Sequence, residues 1–222
     1  MIKFINLMVL ILSFFTTMAQ ELKIDISYKY IYANHWDKIV QTYNFSRPFN
    51  SNNQPLLMNG FNSSVSRIFK PNNNISHGLN VSYSYFRSSA EDQNFTNNLN
   101  LHFLNLGYIF HYQNQEKSKA FYADFILAIT SSGLFRNLNG ASFEYDNKKS
   151  IALSIGSEVD IKFGYSLQKS NNQYLSPFIV IGYIPYFYSP NTETVINQTK
   201  GLVEKNWTTI LISQIGVAYH FR

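Results

Sequence analysis

The chain has no cysteine among its 222 residues and only 14% charged residues. The missing thiols exclude a disulfide scaffold, a thiolate zinc or iron–sulfur site and a lipid-anchored lipoprotein. A soluble domain usually carries about 25% charged residues, so the low charge points away from an ordinary water-facing fold. Glycine (10) and proline (6) are too few for a collagen or a flexible linker. Basic residues form no run beyond the pair Lys148-Lys149, which excludes a nucleic-acid partner. The histidines are scattered without metal-ligand spacing, and no cofactor, metal or catalytic motif is read from the sequence. Past the N-terminal segment no apolar run is long enough for a transmembrane helix, and the longest, Pro177 to Tyr188, is interrupted by Pro and Gly.

What is present is aromatic and alternating. Phe (19) and Tyr (16) are abundant, and aromatics reach 17%. Residues 1–19 read as a signal peptide. Lys3 supplies its basic start, Ile5 to Phe15 its apolar core, and Thr17-Met18-Ala19 a small-residue cleavage site before Gln20. Residues 20–222 read as one domain of β-strands.

Period-two alternation marks eight strands, near 21–33, 57–70, 75–87, 97–112, 119–131, 149–167, 173–188 and 206–222. In the sixth, Ile151, Leu153, Ile155, Val159, Ile161, Phe163 and Tyr165 fall on one face. Glu158, Asp160 and Lys162 fall on the other. In the first, Leu22, Ile24, Ile26, Tyr28, Tyr30 and Tyr32 oppose Glu21, Lys23, Asp25, Ser27 and Lys29. Three strands break the pattern. Arg67 shares the apolar face of 57–70, which implies a snorkelling side chain or a bulge. The face switches between Phe103 and Leu104, which implies a bulge. Residues 173–188 are apolar on both faces. Gly60, Gly107 and Gly182 fit bulges or bends.

Connections near 71–74, 113–117 and 168–172 are short and rich in turn formers. Those near 34–56, 88–96, 132–148 and 189–205 are longer and polar. Short and long connections alternate, and most strands exceed the roughly 9–11 residues that cross a bilayer at a tilt. Only a closed barrel satisfies its backbone in lipid. The expectation is an all-β, eight-stranded antiparallel transmembrane barrel with short periplasmic turns and long extracellular loops. Residues 36–46 alternate weakly, and are read as an ordered part of the first loop, a short strand extension above the membrane.

The end of the chain, Gly216-Val217-Ala218-Tyr219-His220-Phe221-Arg222, resembles the C-terminal strand of outer-membrane β-barrel proteins. The whole chain resembles small barrels of the OmpX or OmpA-transmembrane type, and its Asn- and Tyr-rich composition is similar to PorT-like barrels of Bacteroidetes-type bacteria. The resemblance implies export to a Gram-negative outer membrane and contact with its lipid and lipopolysaccharide. It also implies recognition of Tyr219 and Phe221 by the barrel-assembly machinery, and envelope proteins as further partners.

With the apolar faces in lipid, the inward charges become Asp25, Lys29, Asp124, Glu158, Asp160 and Lys162. So narrow a lumen makes them a salt-bridged plug or, alternatively, an ion path. Exposed loop aromatics Trp36, Tyr43, Phe45, Phe135, Phe143 and Tyr145 are the candidate partner contacts. The function read is therefore structural, adaptor or loop-mediated binding and not an enzyme. A narrow pore, a lipid-modifying enzyme and a secreted soluble β-sheet binder remain alternatives. The enzyme reading rests on His35, Asp92, Ser88 and Ser89 in the first two long loops.

Overall fold

The computed structural model describes residues 21–33, 53–69, 74–91, 96–114, 119–139, 148–170, 173–187 and 209–221, together with Asp37, Val40, Gln41 and Asn44. The N-terminal segment read as a signal peptide lies outside them. Eight strands follow one another: β1 (Glu21–Tyr32), β2 (Asn59–Phe69), β3 (Ile75–Glu91), β4 (Thr96–Gln113), β5 (Lys119–Asn139), β6 (Lys148–Ser170), β7 (Gln173–Phe187) and β8 (Thr209–Phe221). Each pairs antiparallel with its neighbours in sequence, and β1 pairs with β8 to close the barrel. Closure removes both edges, which eight half-apolar strands would otherwise expose.

The outward face is lipophilic. Ile26, Ile129, Ile155, Ile181 and Ile215 are each about two-thirds exposed at the middle of the wall. Above them stand Tyr30, Tyr32, Tyr83 and Tyr183, and below them Phe110, Tyr112, Phe121, Tyr165 and Phe221, all exposed. An apolar band between two aromatic girdles is the surface of a barrel in a bilayer.

Several sequence readings are corrected by the register. β4 runs against β3 and β5 with no bulge at Phe103/Leu104. Phe103 points inward and is fully buried while Leu104 points outward; the lumen itself has turned apolar there. β2 also keeps its register through Arg67, which stays on the outer face, buried, with its guanidinium 5.4 Å from the Phe69 ring. Gly60, Gly107 and Gly182 lie in unbroken ladders. Gly182 makes room: a Cβ there would collide with the Asp160 carboxylate. Bulges occur elsewhere, between β5 and β6 at Leu134/Phe135 and in the turn at Gln168/Ser170. In 36–46 the described residues Asp37, Val40, Gln41 and Asn44 are helical, not extended, and Val40 is fully buried.

The second and third long connections are shorter than their polarity implies. The β3–β4 ladder continues to Glu91↔Thr96, and β5–β6 pairing continues to Asn137↔Lys148. These strands leave the membrane without leaving the sheet, so β3–β6 project as a wall beyond the apolar band.

Candidate functional site: a closed lumen and an external groove

Alternation sends every second side chain of a strand into the lumen, where it is cut off from water. The six charges expected there are all buried. Lys162 donates to Asp25 Oδ2 at 2.5 Å, and Ser64 adds a 2.6 Å bond to the same oxygen. Lys29 meets Glu158 Oε1 at 3.1 Å, while Asn105 donates to the other oxygen at 2.8 Å. Asp160, beside Glu158 on β6, makes no ion pair among the described residues.

Asp124 is held by two residues outside the expected set, Lys23 at 3.0 Å and His111 at 2.5 Å. Lower still, His220 meets Glu21 at 2.7 Å. Lys23 and Glu21 share the face of Asp25 and Lys29, so alternation already carried their signal. The sequence places His102 and His220 in the interior or at the rim; His220 is inside, His102 stands on the outer wall beside Tyr83, and the buried His111 is not singled out by the sequence. Aromatic faces complete the cage: the Lys23 ammonium lies 4.2 Å from the Tyr122 ring, and that of Lys162 4.0 Å from Phe178. Such contacts strengthen when both partners are desolvated.

The upper half of the lumen is not polar as expected. Ile31, Phe86, Leu99, Leu101, Phe103, Leu134, Ile184, Ile210 and Ile212 point inward and form one buried cluster. Val40 and Leu57, from the first connection, join it from above. Hydrogen bonds pin that connection. Gln54 donates to Ser88 at 2.8 Å and accepts from Asn97 at 3.0 Å, while Asn44 clamps the Gln54 backbone at 2.7 and 2.9 Å. The lumen is thus closed by two layers of different chemistry, ion pairs below and hydrocarbon above.

Outside, at the root of the β3–β6 wall, lies a groove of about 630 Å³. Its floor is aromatic. The His102 ring sits 5.1 Å from Tyr85 and 5.4 Å from Phe135, and His102 Nδ1 is 2.6 Å from the Tyr83 hydroxyl. Its polar lining includes Arg87, Arg136, Asn98, Asn100 and Asn137. Arg87 donates to Asn98 Oδ1 at 2.8 Å, and Tyr85 donates to Asn100 Oδ1 at 2.7 Å.

Of the proposed loop contacts only Phe135 is described. It lies in β5, exposed on the outer wall, not in a loop. Trp36, Tyr43, Phe45, Phe143 and Tyr145 lie outside the described residues, as do His35 and Asp92. Ser88 and Ser89 lie in β3, Ser88 donating to the Pro55 carbonyl and Ser89 to Asn98 at 2.9 Å. Tyr219 and Phe221 face outward on β8 with rings 4.6 Å apart, and Tyr219 donates to Gln173 at 2.6 Å.

A closed meander of eight antiparallel strands, lipophilic outside and ion-paired within, is the fold of small eight-stranded outer-membrane β-barrels. Neisserial surface protein A has a similar fold, with a TM-score of 0.52 and 12% identity over 90% of this chain and 95% of that one. The outer membrane protein OprG from Pseudomonas aeruginosa is a looser likeness (TM-score 0.42, 10% identity, 92% of this chain and 97% of that one). So is Ail, the attachment invasion locus protein of Yersinia pestis (TM-score 0.37, 12% identity, 92% and 100%). At such identities the likeness concerns the fold alone. No protein-family model matches the chain, and no curated protein matches it by sequence.

Proposed function

We propose that this protein is a non-conducting barrel of the Gram-negative outer membrane that works through its external side as an adaptor or binding protein. The observation that carries the reading is the double closure of the lumen. An ion passing upward from the Lys29–Glu158 pair would have to enter the Phe86–Phe103 cluster without water, at a desolvation cost of several kcal/mol. A barrel whose bore is filled by its own side chains acts on what its surface and loops touch. Its partners are the outer-leaflet lipid and lipopolysaccharide, together with other envelope proteins. Tyr219 and Phe221 present the barrel-assembly machinery with an aromatic signal on the lipid face. This role requires no catalytic group, and Ser88 of the loop serine/histidine arrangement is committed to holding the first connection in place.

Reconstitution of the full chain into planar bilayers tests the reading. A silent bilayer at high salt is expected, in membranes where incorporation is verified separately. Discrete, reproducible conductance steps would overturn it in favour of a narrow pore.

A further inference from the structure

The external groove fits a ligand of definite chemistry, and its position restricts where that ligand comes from. Tyr83 closes the outward apolar series of β3 from below, and Arg87 follows four residues later on the same face. At about 3.4 Å per residue and a tilt near 40°, Arg87 stands roughly 10 Å above the upper girdle. The register sets Asn100 and Phe135 opposite each other beside Arg87, with Asn98 and Asn137 one outward position higher, and on the same faces His102, then Leu104 and Ile129, follow below. The groove therefore begins where the hydrocarbon ends. It opens sideways, along the membrane plane, because its residues other than Arg136 alternate with the inward Phe86, Leu101 and Leu134. A molecule filling it stands beside the barrel in the outer leaflet.

The lining sets the chemistry. Among the described residues that line the groove there is no aspartate or glutamate, whereas there are two arginines. The side-chain oxygens of Asn98 and Asn100 already accept protein bonds, which leaves their amide NH₂ groups as donors. The aromatic floor of Tyr85, His102 and Phe135 offers flat apolar faces. Planar amides, a guanidinium fork and an aromatic face together match a polyhydroxylated ring that bears negative charge. The volume of about 630 Å³ lies within the usual range of small-ligand sites, about 300–1,000 Å³.

We infer that this groove holds the anionic sugar headgroup of an outer-leaflet glycolipid, with Arg87, Asn98 and Asn100 on its hydroxyl and acidic groups and Phe135 against its ring. The inference rests on the outer-membrane reading above and names one partner of that barrel. The lateral opening favours a lipid-borne sugar over a soluble glycan, since the acyl chains would lie along the apolar band directly below.

The test uses the full chain folded in detergent, with glycolipid retention read by native mass spectrometry. The probes are lipopolysaccharide carrying a short anionic core, phosphatidylglycerol at equal concentration, the free core oligosaccharide, and inorganic phosphate. The wild-type protein is expected to retain lipopolysaccharide at least tenfold over phosphatidylglycerol. Asn100→Asp still accepts from Tyr85 but replaces the free donor with a repelling charge, so retention falls at least tenfold. Phe135→Ala and Arg87→Gln, which act through different contacts, lower it similarly. Ser213→Ala, on the outer face of β8, leaves it unchanged.

Equal retention of phosphatidylglycerol would overturn the inference, as would variants that fold and retain lipopolysaccharide like wild type. Equally tight binding of the free oligosaccharide would make the occupant a soluble glycan, and displacement by phosphate alone would reduce the groove to an anion site. Either result overturns the assignment. Loss of selectivity in a barrel that still shifts on heating and stays silent in bilayers would indict the groove and spare the function proposed above. Conductance with selectivity intact would do the reverse.

Discussion

Lys23 and Asp124 show how much a single residue decides in this lumen. Both are fully buried, 3.0 Å apart, and His111 is the other ionisable partner of that carboxylate. Removing one member of a buried pair leaves a charge with neither water nor partner, typically at about 3–5 kcal/mol. Lys23→Met is expected to destabilise the folded barrel by somewhat less, since His111 can still share the charge. The temperature at which the compact form is lost on unboiled gels reads the effect. Lys23→Met with Asp124→Leu is expected to recover most of the loss, because the pair is replaced by packed hydrocarbon. A single variant as stable as wild type would show that the ion pair carries no such penalty. Lys23 was legible as a lumen residue from its face, but its partner lies 101 residues away on β5, beyond any local pattern.

At the scale of elements, two features make separate predictions. The lipid face of β7 is the first. Ile181→Arg puts a charge at the middle of the apolar band and is expected to cost about 2–4 kcal/mol, against about 0–1 kcal/mol for Asn59→Arg at the upper girdle. Equilibrium unfolding in urea from lipid vesicles measures both, and equal costs would contradict the depth assigned to the band. The second is the first connection, read from sequence as a short strand extension. Its described residues are helical, and the buried Val40 and Leu57 seat it on the hydrophobic cluster in the mouth. Gln54 bridges it to both Ser88 and Asn97. Gln54→Ala is expected to make 34–56 sensitive to limited proteolysis in the folded protein while the barrel's thermal midpoint moves little. Undiminished resistance would mean that Val40 and Leu57 suffice to hold it. The alternation of Ile39, Gln41, Tyr43 and Phe45 misled because a few weakly alternating residues do not distinguish a strand from a helix that buries only one side.

For the molecule as a whole, closure is the property to test. The full chain expressed in a Gram-negative host is expected in the outer-membrane fraction, and boiled and unboiled samples are expected to migrate differently on a denaturing gel. The β1–β8 pairing leaves no edge at which detergent can begin to unzip the sheet, so the unheated form should stay compact. Protein in the soluble fraction with no mobility shift would overturn the membrane reading. The alternation would then belong to a secreted β-sheet binder.

The barrel was legible because a bilayer imposes a coarse rule: lipid on one face and polar atoms on the other, at every second residue over ten or more positions. Ile155, Ile161, Asp160 and Lys162 declare their faces without any knowledge of neighbouring strands. Hydropathy marks the membrane, however, and not the hydrogen-bond ladder. Residues 88–91 and 132–139 read as loop because they are largely polar, although β3 stays paired with β4 to Glu91↔Thr96 and β5 with β4 to Asn139. For the same reason Phe103 beside Leu104 imitated a bulge, since nothing local announces that a lumen has turned from charged to apolar. Which lysine meets which carboxylate, what fills the mouth, and that Arg87, Asn100 and Phe135 border one groove all depend on strand register and closure. Those are set by pairing along the whole wall, and they bring together residues that the chain keeps far apart.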